Sequence, residues 1–196
     1  MEDTLSVALA YLVGSVPFAF LLARRRGIDL RRAGSGNVGA TNVLRTAGVP
    51  VAVLALCLDG VKGALAVLVA ERLTTGAGTP VAAGLASVLG HLYPPWLGFR
   101  GGKGVATAAG VFAVLAPVAV AIAGGVFVVS VWITRYISVG SLAGAVTLVV
   151  AAAASGAPAA AVVGSVVAAL IILHRHRANL ARLLAGTERR VGQRLF

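Results

Sequence analysis

Two glycine-rich segments hold the residues best suited to chemistry. The first reads Gly34-Ser35-Gly36-Asn37-Val38-Gly39-Ala40-Thr41-Asn42 and runs on to Arg45. It contains G-x-G-x-x-G, but a dinucleotide fingerprint needs a preceding strand and a βαβ unit; here a basic stretch precedes the segment and an apolar run follows. What remains is anion binding. Gly36 and Gly39 allow a backbone curl whose N–H groups face an anion, while Ser35, Asn37, Thr41 and Asn42 add side-chain donors. The second segment, Gly98-Phe99-Arg100-Gly101-Gly102-Lys103-Gly104, lacks the Walker A pattern, because position 97 is Leu97 and Gly104 follows the lysine. It still joins the amides of Gly101, Gly102 and Gly104, the Lys103 ammonium and a helix N-terminus, a combination suited to phosphate. Thr107 lies one turn inside that helix.

Other polar residues supply support. Asp59 and Lys62 share one face of an apolar helix, where a lone charge is costly and a self-neutralising pair is expected. His91, before Tyr93-Pro94-Pro95-Trp96, is placed to orient the turn that ends its helix. Ser138 and Ser141, with the same three-residue spacing after Arg135, offer hydroxyls to a site or a neighbouring helix. Near the C-terminus His176, Asn179 and Arg182 fall on one helical face, and Glu188 is expected to tie to an arginine. No His, Cys, Asp or Glu spacing suits a metal, and no cofactor motif survives scrutiny. The lone Cys57 sits in an apolar run and reads as a small core residue.

These residues must be carried by membrane-spanning helices. Of 196 residues 59% are hydrophobic and only 12% charged, with a mean hydropathy of +0.95, leaving too little polar surface to cover a soluble domain. A net charge of +11 in such a chain points to anionic lipid or phosphorylated substrates rather than nucleic acid. Apolar runs occupy residues 5–23, 49–70, 80–97, 105–134 and 137–173. The last two exceed a bilayer core of roughly 30 Å and are interrupted by Pro117 and by Ser155-Gly156-Ala157-Pro158, so each reads as a hairpin of two helices. Seven spans follow, with the N-terminus outside and the C-terminus cytoplasmic, in one domain covering residues 1–196. This threading puts every lysine and arginine except Arg72 and Lys62 on the inner side, among them Arg100, Arg135, Arg175 and Arg194. Glycines around Gly14, Gly84, Gly124, Gly144 and Gly164 are expected to let helices pack closely.

GSGNVGATNVLR at 34–45, Asp59-x-x-Lys62-Gly63, GHLYP at 90–94, FRGGKGVAT at 99–107 and HRANLARLLAGTE at 176–188 stand in this order. Together they resemble the bacterial acyl-phosphate:glycerol-3-phosphate acyltransferase family. The resemblance implies a seven-helix enzyme of the bacterial cytoplasmic membrane, working at the cytoplasmic face. Its reaction would be acyl transfer from acyl phosphate to glycerol 3-phosphate, giving lysophosphatidic acid and phosphate, the first step of membrane phospholipid synthesis. It further implies a soluble partner enzyme that supplies the acyl phosphate. By the same resemblance Ser35 and Arg45 are needed for activity, Gly101, Gly102, Lys103 and Gly104 serve glycerol 3-phosphate, His176 and Asn179 support activity, and Glu188 supports structure.

The H-x-x-x-x-D dyad of coenzyme-A-dependent acyltransferases is missing: five residues after His91, His174 and His176 stand Trp96, Asn179 and Ala181. An acyl phosphate is already activated, so the expected task is to hold two phosphates together and orient the attacking hydroxyl. Arg45, Lys103 and His176 are expected to neutralise phosphate charge, and the leaving phosphate to take the proton. A small anion transporter would show polar dips from both membrane faces, whereas the candidate loops lie on one side. A metal-dependent lipid phosphotransferase would need more acidic residues than Asp29, Asp59 and Glu188 on the inner side.

Overall fold

A computed structural model describes residues 2–76 and 78–192, so Arg194 lies outside the described residues. The described residues are all-α: α1 (Glu2–Gly14), α2 (Phe18–Arg24), α3 (Ala40–Thr46), α4 (Val49–Leu73), α5 (Thr79–Leu92), α6 (Val105–Leu115), α7 (Pro117–Thr134), α8 (Ile137–Ala154), α9 (Ala159–Arg175) and α10 (Arg177–Leu184), with a 3₁₀ turn at Pro95–Leu97. They form two compact units, Met1–Val114 and Leu115–Phe196.

The breaks fall where the sequence places them. Pro117 is the first residue of α7, where a missing N–H costs nothing, and residues 155–158 separate α8 from α9. The stretches Glu2–Arg24, Val49–Leu73, Pro117–Thr134 and Ile137–Ala154 are long and apolar enough to cross a membrane, and α9 with α10, bent by 55°, makes up to five. At 14 and 11 residues, α5 and α6 fall short of the roughly 20 residues of a full span.

Small residues fill the interiors. Alanine dominates the buried positions, and glycine allows backbones to touch. In the first unit a β-carbon at Gly14 would collide with the Ser87 carbonyl, one at Gly90 with the Tyr11 carbonyl, one at Gly63 with the Thr107 carbonyl and one at Gly110 with the Gly60 carbonyl. These contacts bind α1 to α5 and α4 to α6. Gly84 is likewise tight against Val111, but nothing lies within 4 Å of a β-carbon at Gly124, so close packing does not extend there. Large apolar side chains point outward instead, Trp132 being 81% exposed, as suits a lipid-facing surface. Cys57 is also exposed, which corrects its expected place in the core. It occupies the outward stripe of α4, whose inward stripe carries Ala55, Asp59 and Lys62.

Candidate active site

The first glycine segment enters α3 as a loop tied to itself. The Asn42 side chain, almost fully buried, donates through Nδ2 to the carbonyls of Leu30 (3.2 Å) and Ala33 (3.0 Å) and accepts the Ser35 N–H at 2.9 Å on Oδ1. Asn37 Oδ1 accepts the Gly39 N–H at 3.0 Å, and the Gly36 N–H goes to Ala33 O at 3.1 Å. This corrects the expectation of an open amide cradle: the N–H groups of Ser35, Gly36 and Gly39 are spent inside the loop, and Asn42 is its internal brace. Gly34 and Gly36 have φ of 61° and 74°, which the curl requires. The braced loop leaves Ser35 and Gly36 exposed and Asn37, Thr41 and Arg45 half-buried.

The second segment is held just as firmly. After α5 the chain turns through Pro94 and Pro95, and the amides of Gly101 and Gly102 donate to the carbonyls of Leu92 (2.9 Å) and His91 (3.2 Å). Those two amides therefore close the end of α5 instead of cradling an anion, a second correction to the expected phosphate loop. Gly104, at φ 83° and with its absent β-carbon 2.7 Å from Leu92 Cδ1, opens α6. Helix geometry leaves the first amides of α6 without intrahelical acceptors, beside the half-buried Lys103. Thr107 is buried in the first turn, its methyl group facing Gly63, and among the described residues its Oγ1 has no hydrogen-bond partner.

The two loops meet. A β-carbon at Gly39 would stand 4.0 Å from Gly102 Cα. Beneath them lies a buried polar cluster: Lys62 Nζ is 2.8 Å from Asp59 Oδ1, 2.9 Å from the Val16 carbonyl and 3.0 Å from His91 Nδ1. The expected Asp59–Lys62 pair is thus present and only 2% exposed at each side chain, with His91 joined to it.

In the second unit, Glu188 collects the Ser138 hydroxyl (2.9 Å) and Asn179 Nδ2 (2.6 Å) on Oε1 and Arg182 Nε (2.7 Å) on Oε2. Burial raises the Glu188 carboxyl, but the bonds from Asn179, Arg182 and Ser138 outweigh it and hold the group below the ordinary glutamate range. Ser138 is therefore committed to Glu188, and Ser141 donates to Ile137 O within its own helix at 2.9 Å, so of the two expected uses, a site or a neighbouring helix, neither hydroxyl takes up the first here. His176 is buried with Nδ1 2.8 Å from the Ile172 carbonyl. A carbonyl only accepts, so Nδ1 carries a proton.

A model of the family described as Glycerol-3-phosphate acyltransferase matches residues 4–186. The chain is 48% identical over 186 residues to the glycerol-3-phosphate acyltransferase of Myxococcus xanthus (strain DK1622), covering 94% of this chain and 97% of the relative. The chain belongs to the glycerol-3-phosphate acyltransferase family. It is an integral membrane enzyme of that kind. Glycerol-3-phosphate acyltransferase 1 of Deinococcus radiodurans is 42% identical over 191 residues, covering 97% of this chain and 96% of the relative. Among solved structures, the glycerol 3-phosphate form of PlsY (YgiH), an integral membrane glycerol 3-phosphate acyltransferase, superposes with a TM-score of 0.93 at 39% identity, covering 98% of this chain and 96% of that one. Its lysophosphatidic acid form gives 0.91 at 38% identity.

Some residues that shape this acyltransferase carry no sequence signal of that role. Tyr11 Oη donates to Tyr93 O at 2.6 Å and Trp96 Nε1 to Ser15 Oγ at 2.8 Å, pinning the approach to the second loop onto α1. In the second unit Val191 N donates to Arg135 O (2.7 Å), Arg135 Nη2 returns a bond to Val191 O (3.2 Å), and Arg190 lies over the Tyr136 ring. These are long-range pairings of common residue types, invisible to spacing rules.

Proposed function

We propose that this acyltransferase takes its acyl group from an acyl phosphate and transfers it to glycerol 3-phosphate, giving lysophosphatidic acid and inorganic phosphate. The observation that carries this reading is the meeting of the two glycine loops at Gly39 and Gly102, which brings the segments bearing Ser35, Arg45 and Lys103 to one place in the first unit. Two anionic reactants repel, so their approach needs fixed cations and helix N-terminal amides. Arg45, Lys103 and the first turn of α6 provide these. Ser35, held outward by the Asn42 brace, positions the acyl donor, with Gly36, Asn37, Gly39 and Thr41 shaping its surroundings. Thr107 gains a partner for its buried hydroxyl when substrate is bound.

In the proposed step a glycerol hydroxyl oxygen attacks the acyl carbonyl carbon, the carbon–oxygen bond to phosphate breaks, and the leaving phosphate accepts the hydroxyl proton. A protein base is then unnecessary, in keeping with the missing H-x-x-x-x-D dyad. His176 supports activity from the second unit, its Nδ1 committed to Ile172. Asn179 serves by way of Glu188.

The proposal includes seven crossings in a single 1–196 domain, the N-terminus outside and the C-terminus cytoplasmic. The short α5 and α6 then leave the loops dipping inward from the cytoplasmic face of the bacterial cytoplasmic membrane, where a soluble enzyme can deliver acyl phosphate. The test is purified protein with glycerol 3-phosphate and either acyl phosphate or acyl-coenzyme A. Stoichiometric phosphate release with acyl phosphate alone is expected; equal turnover with acyl-coenzyme A overturns the donor assignment.

A further inference from the structure

We propose that His91 is a positioning residue for residues 101–104, its ring aimed by Lys62 and Asp59. The inference rests on the reading that Lys103 and the first turn of α6, placed by this loop, hold the phosphate of glycerol 3-phosphate.

The Lys62 ammonium bonds to the Val16 carbonyl and to His91 Nδ1 and pairs with Asp59 Oδ1, which also lies 3.5 Å from His91 Nδ1. An ammonium only donates, so Nδ1 presents its lone pair and the imidazole proton sits on Nε2. The Nε2 edge faces the second loop, since a β-carbon at Gly102 would collide with that nitrogen and its neighbouring ring carbons. The same segment grips the loop through its backbone, His91 O accepting the Gly102 N–H and Leu92 O the Gly101 N–H. Gly104 presses on Leu92 and Val88, at 2.7 and 3.0 Å from its missing β-carbon. Lys103 is thus clamped between two glycines whose places are set by residues 88–92. An ion pair buried in an apolar helix gives little net stability over apolar side chains of the same size, so fold stability alone does not account for it. Fixing a ring that in turn fixes a loop does.

A structural role and a positioning role separate in kinetics. Loss of folded enzyme lowers apparent kcat and leaves KM unchanged, whereas a displaced loop raises the KM for the substrate it holds. His91→Asn keeps an acceptor for Lys62, because Oδ1 can stand near the place of Nδ1, but withdraws the Nε2 edge. It is expected to melt close to the parent and to raise the KM for glycerol 3-phosphate about tenfold while sparing the acyl-donor KM. Gly102→Ala alone should give a similar rise by pushing on the ring. The double variant should be no worse than either single, since the shorter asparagine leaves room for the new methyl.

Effects that multiply in the double variant, or an unchanged KM in His91→Asn, would overturn the proposal. If His91→Asn does not fold, Lys62→Met with Asp59→Asn removes the donor that aims the ring; a raised KM supports the role and an unchanged one sinks it. Lys103→Met separates the two levels. An unchanged KM for glycerol 3-phosphate in Lys103→Met overturns the loop reading and this inference together. A raised KM there beside an unchanged one in His91→Asn overturns this inference only.

Discussion

Gly39 and Gly102, more than sixty positions apart in the chain, approach so closely that a β-carbon on the first would lie 4.0 Å from the Cα of the second. Each loop is held by hydrogen bonds of its own. One is braced by Asn42, the other by the carbonyls that end α5. Under the proposed function their contact would give the first unit a preorganised surface for neutralising charge.

The brace makes Asn42 a test of loop rigidity. Asn42→Ala strands the buried Leu30 carbonyl, at about 1–3 kcal/mol for a group that water cannot reach, and takes one bond each from the Ala33 carbonyl and the Ser35 amide. A lower melting temperature in detergent and a loss of turnover are expected together. Wild-type activity in a folded Asn42→Ala protein would show that Ser35 needs no brace.

The crossing of α4 and α6 depends on glycine. Gly110→Ala drives a methyl group into the Gly60 carbonyl, a backbone atom that cannot turn aside. Overpacking of this kind costs about 1–3 kcal/mol, so the variant should melt earlier, whereas Gly124→Ala, with open space around it, should not.

Glu188 gives a dependence on pH with a defined sign. Its folded value lies below the unfolded one, so the cluster with Ser138, Asn179 and Arg182 contributes stability above the ordinary value of 4.5. That contribution is lost as pH falls through the lower, folded value. Melting followed from pH 7 to about pH 3 should show this decline in the parent and a flatter profile in Glu188→Gln. Identical profiles would contradict the ionised cluster.

Sidedness is checked by single cysteines in a Cys57→Ser background. Cysteines replacing the exposed Ser35 and Arg100 are expected to react from the cytoplasmic side of sealed vesicles, and one replacing Thr75 from the opposite side. Labelling of Ser35 and Arg100 positions from outside would reverse the proposed threading.

Much of this organisation was legible in residue order because it is set by local chemistry. Pro117 breaks an apolar run, residues 155–158 turn one, and three-residue spacing puts Asp59 beside Lys62. The misreadings concern partners brought in from afar. Nothing local reveals that the Gly101 and Gly102 amides close α5, that the Asn42 amide reaches Leu30, or that Ser138 serves Glu188. Cys57 gives no local sign of its exposure, because an α4 apolar on every side has no periodicity to tell its lipid stripe from its protein stripe.

Steady-state kinetics of Ser35→Ala and Lys103→Met tests the shared loop site most directly. Ser35 is exposed and Lys103 half-buried, so both variants should fold. Each is expected to lose about a hundredfold or more in kcat/KM, the scale of removing a group that stabilises charge in the transition state. Near-parental turnover in both would contradict it.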